Sequence, residues 1–176
     1  MNRATFFNAI RRTTFGGKLN AKQVDGITRI LDYRDAKYPA MSDDQFAYVL
    51  ATAYWESGHT MQPVREAGGE RYLRTKKYYP WVGEGLIQVT WEENARKFGA
   101  KKPGDLLNWP KALDALFRGM IEGIFTGRKL ADYITDKKRD YRGARRIVNG
   151  MDRADEIAHI ANAFRNAMID GRREAA

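Results

Sequence analysis

The chain has 176 residues, enough for one domain of ordinary size or two very small ones. With 43% apolar and 30% charged residues it is globular in composition, and its apolar runs fall far short of the roughly 20 residues a bilayer-spanning helix needs. The lack of cysteine excludes disulfide scaffolds, zinc–cysteine sites, thiol nucleophiles and iron–sulfur centres; two histidines (His59, His159) argue against a metal site; and a net charge of +9 draws the protein to polyanions without choosing among them.

Residues 1–24 carry Arg3, Arg11, Arg12, Lys18 and Lys22 and no acid. Phe6, Phe7 and Ile10 give a helical face without the long apolar stretch or cleavage site of a targeting segment, so a first helix over about 3–14 is expected, with no secretory signal. A second is predicted over about 21–37, where Val24, Ile27, Ile30 and Leu31 recur at helical spacing. A third begins at Ser42-Asp43-Asp44-Gln45, a capping-box pattern in which the Gln45 side chain reaches back. Its buried stripe is Phe46, Val49, Leu50 and Ala53, and Gly58 stops it. Residues 58–90 are dense in glycine and proline and read as a long structured loop, with a short β-element at Leu86–Thr90. Helices resume at about 91–98, 110–126, 139–148 and 152–170, with a turn at Asn149-Gly150. Residues 157–173 form a basic amphipathic stretch with Arg165, Arg172 and Arg173, read either as a core helix or as a membrane-surface helix. There is no internal repeat and no linker, so residues 1–176 are expected to form one domain.

Glu56 ends the third helix behind Tyr54 and Trp55. Aromatic neighbours withdraw water from a carboxyl group, and the negative end of a helix dipole disfavours its anion. A carboxyl that keeps its proton near neutrality can donate it to a leaving oxygen. Glu66, Glu70 and Glu84 follow in the loop, each unremarkable by itself as a surface acid. An inverting glycosidase needs two carboxyl groups roughly 6.5–9.5 Å apart with water between, and a helix-end acid facing a loop acid suits that demand. Tyr72, Tyr78, Tyr79, Trp81 and Trp91 crowd the same stretch, either closing the core or offering faces on which sugar rings stack.

At Ala53-Tyr54-Trp55-Glu56-Ser57-Gly58 and at Tyr78-Tyr79-Pro80-Trp81-Val82-Gly83-Glu84-Gly85-Leu86-Ile87-Gln88-Val89-Thr90-Trp91 the sequence resembles glycoside hydrolase family 19, and within it the phage endolysins and phage-type lysozymes. The resemblance implies a mainly α, lysozyme-like helical domain with a long active-site loop and at most a small β element. It implies Glu56 as catalytic acid. It points to Glu66 as second carboxylate by the phage pattern and to Glu70, followed by Arg71, by the chitinase pattern. Ile87-Gln88-Val89-Thr90 matches the family's Ile-Gln strand, where the Thr90 hydroxyl is implied to hold the attacking water; Asn94 and Asn149-Gly150 match its later asparagines. Tyr79, Trp81, Glu84, Gln88, Asn94 and Asn149 are the implied substrate-side residues. One departure stands out: the family's Gly-Arg-Gly is Gly83-Glu84-Gly85 here, so Glu84 reads as a substrate-side or structural residue. The short, cysteine-free loop favours the phage branch.

The function expected from this is hydrolysis of the β-1,4 bond between N-acetylmuramic acid and N-acetylglucosamine in bacterial peptidoglycan, by a monomer needing neither cofactor nor metal. A chitinase and a lytic transglycosylase are the enzymatic alternatives. A basic nucleic-acid binder is the non-enzymatic one, and it lacks any helix-turn-helix, zinc-finger or aromatic RNA-binding motif. The charge would concentrate the protein on an anionic envelope through Lys76-Lys77, Lys137-Lys138-Arg139, Arg145-Arg146 and Arg172-Arg173. Without a signal peptide, access from the host cytoplasm to the periplasmic wall would need a membrane-permeabilising partner, a holin.

Overall fold

Nine consecutive residues, Phe46 to Tyr54, are buried. A helix apolar around its whole circumference belongs in the middle of a protein, and this one, α3 (Asp43–Glu56), is where the other elements meet. The structure, a computed structural model, describes residues 1–175 and is mainly α, with eight α-helices and two two-stranded sheets among the described residues. Before α3 come α1 (Arg3–Thr13) and α2 (Ala21–Lys37). After it come β1 (Val64–Arg65), α4 (Glu70–Leu73), β2 (Glu84–Gly85), α5 (Glu92–Lys97), α6 (Trp109–Glu122), α7 (Leu130–Tyr133), the hairpin strands β3 (Ile134–Thr135) and β4 (Lys138–Arg139), and the closing helix α8 (Ala154–Arg173). Helix α3 packs on α2, α6, α8 and β3, and α8 packs in turn on α1. None of the helices is long and apolar enough to cross a membrane, among the described residues.

The helix starts follow from local chemistry. Asn2 caps α1 by accepting from the Thr5 N–H at 3.2 Å. The capping box sits on α2: Asn20 accepts from Gln23 N–H, and Gln23 reaches back to Asn20 N–H, both at 2.9 Å. The box expected on α3 is only half made. Ser42 Oγ accepts from Gln45 N–H at 3.2 Å, but the Gln45 amide donates to the Ile134 carbonyl at 2.9 Å, tying α3 to the hairpin instead. The acids of that first turn are ion-paired: Asp43 with Arg172 at 2.6 Å, Asp44 with Arg165 and with Arg139. The apolar face of α8 (Ile157, Ala161, Phe164, Met168) is buried in the core, so the amphipathic stretch serves as a core helix whose cations dock it on α3.

Three expectations are corrected. The β-element lies at Glu84–Gly85, antiparallel to Val64–Arg65, while Leu86–Gln88 is the turn that follows, with Gln88 at φ 54°. The helix expected from 139 does not form. Thr135 and Lys138 pair across a two-residue loop, and Asp140 then accepts from Gly143 N–H at 2.7 Å, starting a 3-10 turn over Gly143–Ile147. Helix α6 ends at Glu122 because Gly123 takes the left-handed conformation, φ 75°, at its C-terminus. Within the long loop, α4 went unread because four residues are too few to show a period.

Gly26 decides how closely α2 approaches the loop beyond α3. A Cβ there would lie 1.9 Å from the Met61 carbonyl oxygen, a backbone atom that cannot swing aside. Gly26→Ala is expected to destabilise the fold by about 1–3 kcal/mol from overpacking, despite alanine's better helix propensity; urea unfolding of the two proteins measures it.

Candidate active site

Tyr48, Thr52 and Glu56 lie at successive helical turns of α3 and so share one face. The Tyr48 ring is buried against Tyr141, and burial pushes its hydroxyl well above the ordinary tyrosine range. At the end of this face the Glu56 carboxylate meets a cation: Arg145 Nη1 donates to Oε1 at 2.5 Å. The Arg145 side chain is 4% exposed and that of Glu56 16%. Arg145 rides on the 3-10 turn whose Ala144 and Ile147 are fully buried, and its Nε donates to the Asp152 carbonyl at 3.1 Å. Asn149 is part of the same unit: its N–H donates to the Arg145 carbonyl at 3.1 Å, and its exposed side chain accepts from Gly150 N–H at 2.8 Å. Glu56 Oε2 has no protein partner among the described residues.

A second unit forms around Glu66. Its N–H donates to the Gly83 carbonyl at 2.6 Å, extending the β1–β2 pairing. Its carboxylate is gripped on both oxygens, Oε1 by the Tyr78 hydroxyl and Oε2 by Gly83 N–H, each at 2.9 Å. Gln88 braces this arrangement: its amide donates to the Val64 carbonyl at 2.9 Å, and its Oε1 sits where a Cβ on Gly83 would come within 2.8 Å. Thr90 follows, half-buried, its carbonyl accepting from the Asn94 amide at 3.1 Å. Asn94 also accepts from Lys97 at 3.0 Å. The half-buried Trp81 carbonyl accepts from Trp91 N–H at 3.0 Å, with Arg96 over its ring.

Glu70 and Glu84 are placed differently. Exposed Glu70 accepts from the Tyr79 hydroxyl at 2.6 Å and from Arg65 at 3.0 Å, and these bonds, Tyr79's first, hold its carboxyl below the usual range. The Tyr79 hydroxyl is thus engaged by Glu70, while its residue stays half-buried. Glu84 takes the structural position of its two expected ones. It is 4% exposed, and its Oε1 accepts from Gly104 N–H at 2.6 Å, bonding the start of the 3-10 turn Asp105–Leu107. Burial raises its carboxyl above the usual range, against the opposing pull of the Gly104 and Leu106 amides.

The structure thus gathers Glu56 with Asn149, and Glu66 with Gln88 and, along the chain, Thr90 and Asn94. No hydrogen bond or ion pair joins the two units among the described residues. Two residues escaped the sequence reading. Tyr78, taken only as one of the loop aromatics, is the partner of Glu66. Arg145, read as surface charge beside Arg146, is the buried partner of Glu56; nothing in the sequence distinguishes it from its exposed neighbour Arg146. A hollow of about 660 Å³ between α1 and α8 is lined by none of these residues. Comparison with protein-family models, curated proteins and solved structures finds no match.

Arg145→Met leaves a carboxylate in a mostly dry place without its cation. A loss of about 3 kcal/mol is expected, the lower end for breaking a buried pair because Glu56 keeps some water. The double variant Arg145→Met, Glu56→Gln should lose less than Arg145→Met alone, as chemical denaturation will read. For Glu84 the folded carboxyl binds its proton more tightly than the unfolded one. Its contribution is fully present below the ordinary value of 4.5 and is lost as pH rises through the raised folded value. The stability of Glu84→Gln relative to wild type should therefore climb with pH across that window, on top of a pH-independent loss of one acceptor.

Proposed function

We propose that the protein is an inverting glycoside hydrolase of bacterial peptidoglycan, cutting the β-1,4 bond between N-acetylmuramic acid and N-acetylglucosamine. The observation that carries the reading is the pair of restrained glutamates at the two ends of one connection: Glu56 clamped through Oε1 by Arg145, and Glu66 held by Tyr78 and Gly83. Rate enhancement by positioning depends on such restraint. Glu56 first takes up a proton from solvent on Oε2, the oxygen that Arg145 does not engage, and gives it to the glycosidic oxygen, which leaves as a hydroxyl. Water adds to the anomeric carbon from the opposite face, and its proton passes to Glu66. Thr90, by the resemblance, steadies that water. The residues doing this work are all on the chain, and the charge of +9 favours residence on an anionic wall. Release to the wall at the end of a phage cycle, aided by a holin, is the setting this activity fits.

Digestion of purified peptidoglycan, with mass spectrometry of the fragments, tests the reading. Wild type should leave reducing muramic acid ends, and Glu56→Gln and Glu66→Gln should each be slower by about 100-fold or more. Anhydro ends would replace the reading with a transglycosylase, reducing glucosamine ends with a glucosaminidase, and cleavage of chitin alone with a chitinase. If Glu70→Gln rather than Glu66→Gln abolishes cleavage, the second carboxylate is misassigned.

A further inference from the structure

Trp91 occupies a backbone conformation that side chains avoid, φ 72° and ψ 139°, at the start of α5 and without a capping bond from its side chain. Its ring gains little burial in exchange, being 45% exposed. The backbone is pinned by the bond from its N–H to the Trp81 carbonyl and by Ala95 N–H on its own carbonyl, both at 3.0 Å. The ring meets Tyr78 edge-on at 5.6 Å, and Tyr78 is the residue that grips Glu66. Lys76 stands 4.0 Å from the ring centre of Tyr72, which is 51% exposed. Gly68 leaves room for the Tyr72 ring: a Cβ there would come within 2.6 Å of it. Trp91 and Tyr72 are two of only four large apolar side chains that stand exposed among the described residues.

The charges around this ledge are unequal. Arg71, Arg74, Lys76 and Lys77 follow one another with no acid between them. Glu70 answers Arg65 and, at 3.5 Å, Arg74. Beside Trp91, Glu92 is paired with Arg96, and Glu93 is exposed. An aromatic face held outward at a conformational cost is suited to a ligand with flat apolar faces, and a lysine beside it to an anion on that ligand.

Resting on the glycosidase reading, we infer that Trp91 and Tyr72 are stacking platforms for sugars of the glycan strand beyond Glu66, and that Lys76 pairs with a carboxylate borne by that strand. The ledge then prefers a carboxylated glycan to a neutral one.

The test is calorimetric binding in the Glu56→Gln background, with soluble uncross-linked peptidoglycan strands and with the neutral hexamer of N-acetylglucosamine. Trp91→Gly should raise the melting temperature, because glycine is at ease at this φ, and yet weaken binding of both glycans about fivefold to tenfold. Lys76→Gln should weaken binding of the peptidoglycan strands about threefold and leave the hexamer unchanged. A lower melting temperature for Trp91→Gly would show that the ring is there to pack the protein, and unchanged affinity would remove its platform role; either overturns the inference. Equal effects of Lys76→Gln on both glycans would overturn the charge preference. Glu56-dependent cleavage of peptidoglycan without these binding changes would sink the ledge alone, whereas the binding changes without any cleavage would sink the hydrolase reading and leave the ledge standing.

Discussion

A guanidinium that is almost wholly buried must find an anion, since an unpaired charge removed from water costs several kcal/mol. Arg145 finds it in Glu56, and much of the molecule is arranged around that requirement. The pair joins the last residue of the central helix to a turn 89 residues later in the chain. It holds the end of α3, which left-handed Gly58 terminates, against that turn. It also fixes the segment between the hairpin and α8, because Arg145 bonds the Asp152 carbonyl and is bonded through its own carbonyl by Asn149. Replacing the pair by apolar groups of equal size would serve stability as well or better. The pair therefore sets geometry more than it adds stability.

The Glu66 unit is built on the opposite plan. Instead of one buried charge pair it uses neutral donors, a phenol and a backbone amide, on a segment with little regular structure. Rigidity there comes from backbone crossings: the two-residue ladder of β1 and β2, the Gln88 amide bonding back to Val64, and the Trp91 amide bonding to Trp81. Gln88 and Trp91 take positive φ to make these crossings possible. One carboxylate is therefore set by the core and the other by a braced loop.

The helices with strong periodicity were legible in the sequence. Arg3–Thr13, Ala21–Lys37, Asp43–Glu56 and Ala154–Arg173 differ by a few residues from their expected bounds, because capping residues and apolar spacing are local signals. What failed depended on distant partners. Gln45 had the right residue type for a capping box, yet its amide found the Ile134 carbonyl, 89 residues away. The 134–139 hairpin was hidden because two-residue strands carry no alternation to read. In the candidate site, Glu56 stood out by its place at a helix end behind two aromatic residues, whereas Glu66 was singled out from the other loop acids only by the family resemblance. Arg145 did not stand out, since a lone arginine is usually solvated and only the fold reveals its burial. Glu84 was legible as an oddity, and its bond to Gly104 N–H explains it: a buried acceptor is needed there to meet amides of the 3-10 turn.

The contact between α1 and α8 has a consequence for how the chain is made. Asn2 N–H bonds the Gly171 carbonyl at 2.8 Å, and Phe6 stacks on Phe164 at 6.5 Å. Helix α1, made well before α8, thus waits for α8 before its apolar face is covered. Until α8 emerges, Phe6 and Ile10 on one side and the α8-facing surface of α3 on the other have nothing to pack against. At a synthesis rate of about 5–20 residues per second, that interval lasts on the order of ten seconds or more. Through that interval these apolar faces are the surface open to unwanted association, and a chain shortened by the length of α8 would keep them uncovered.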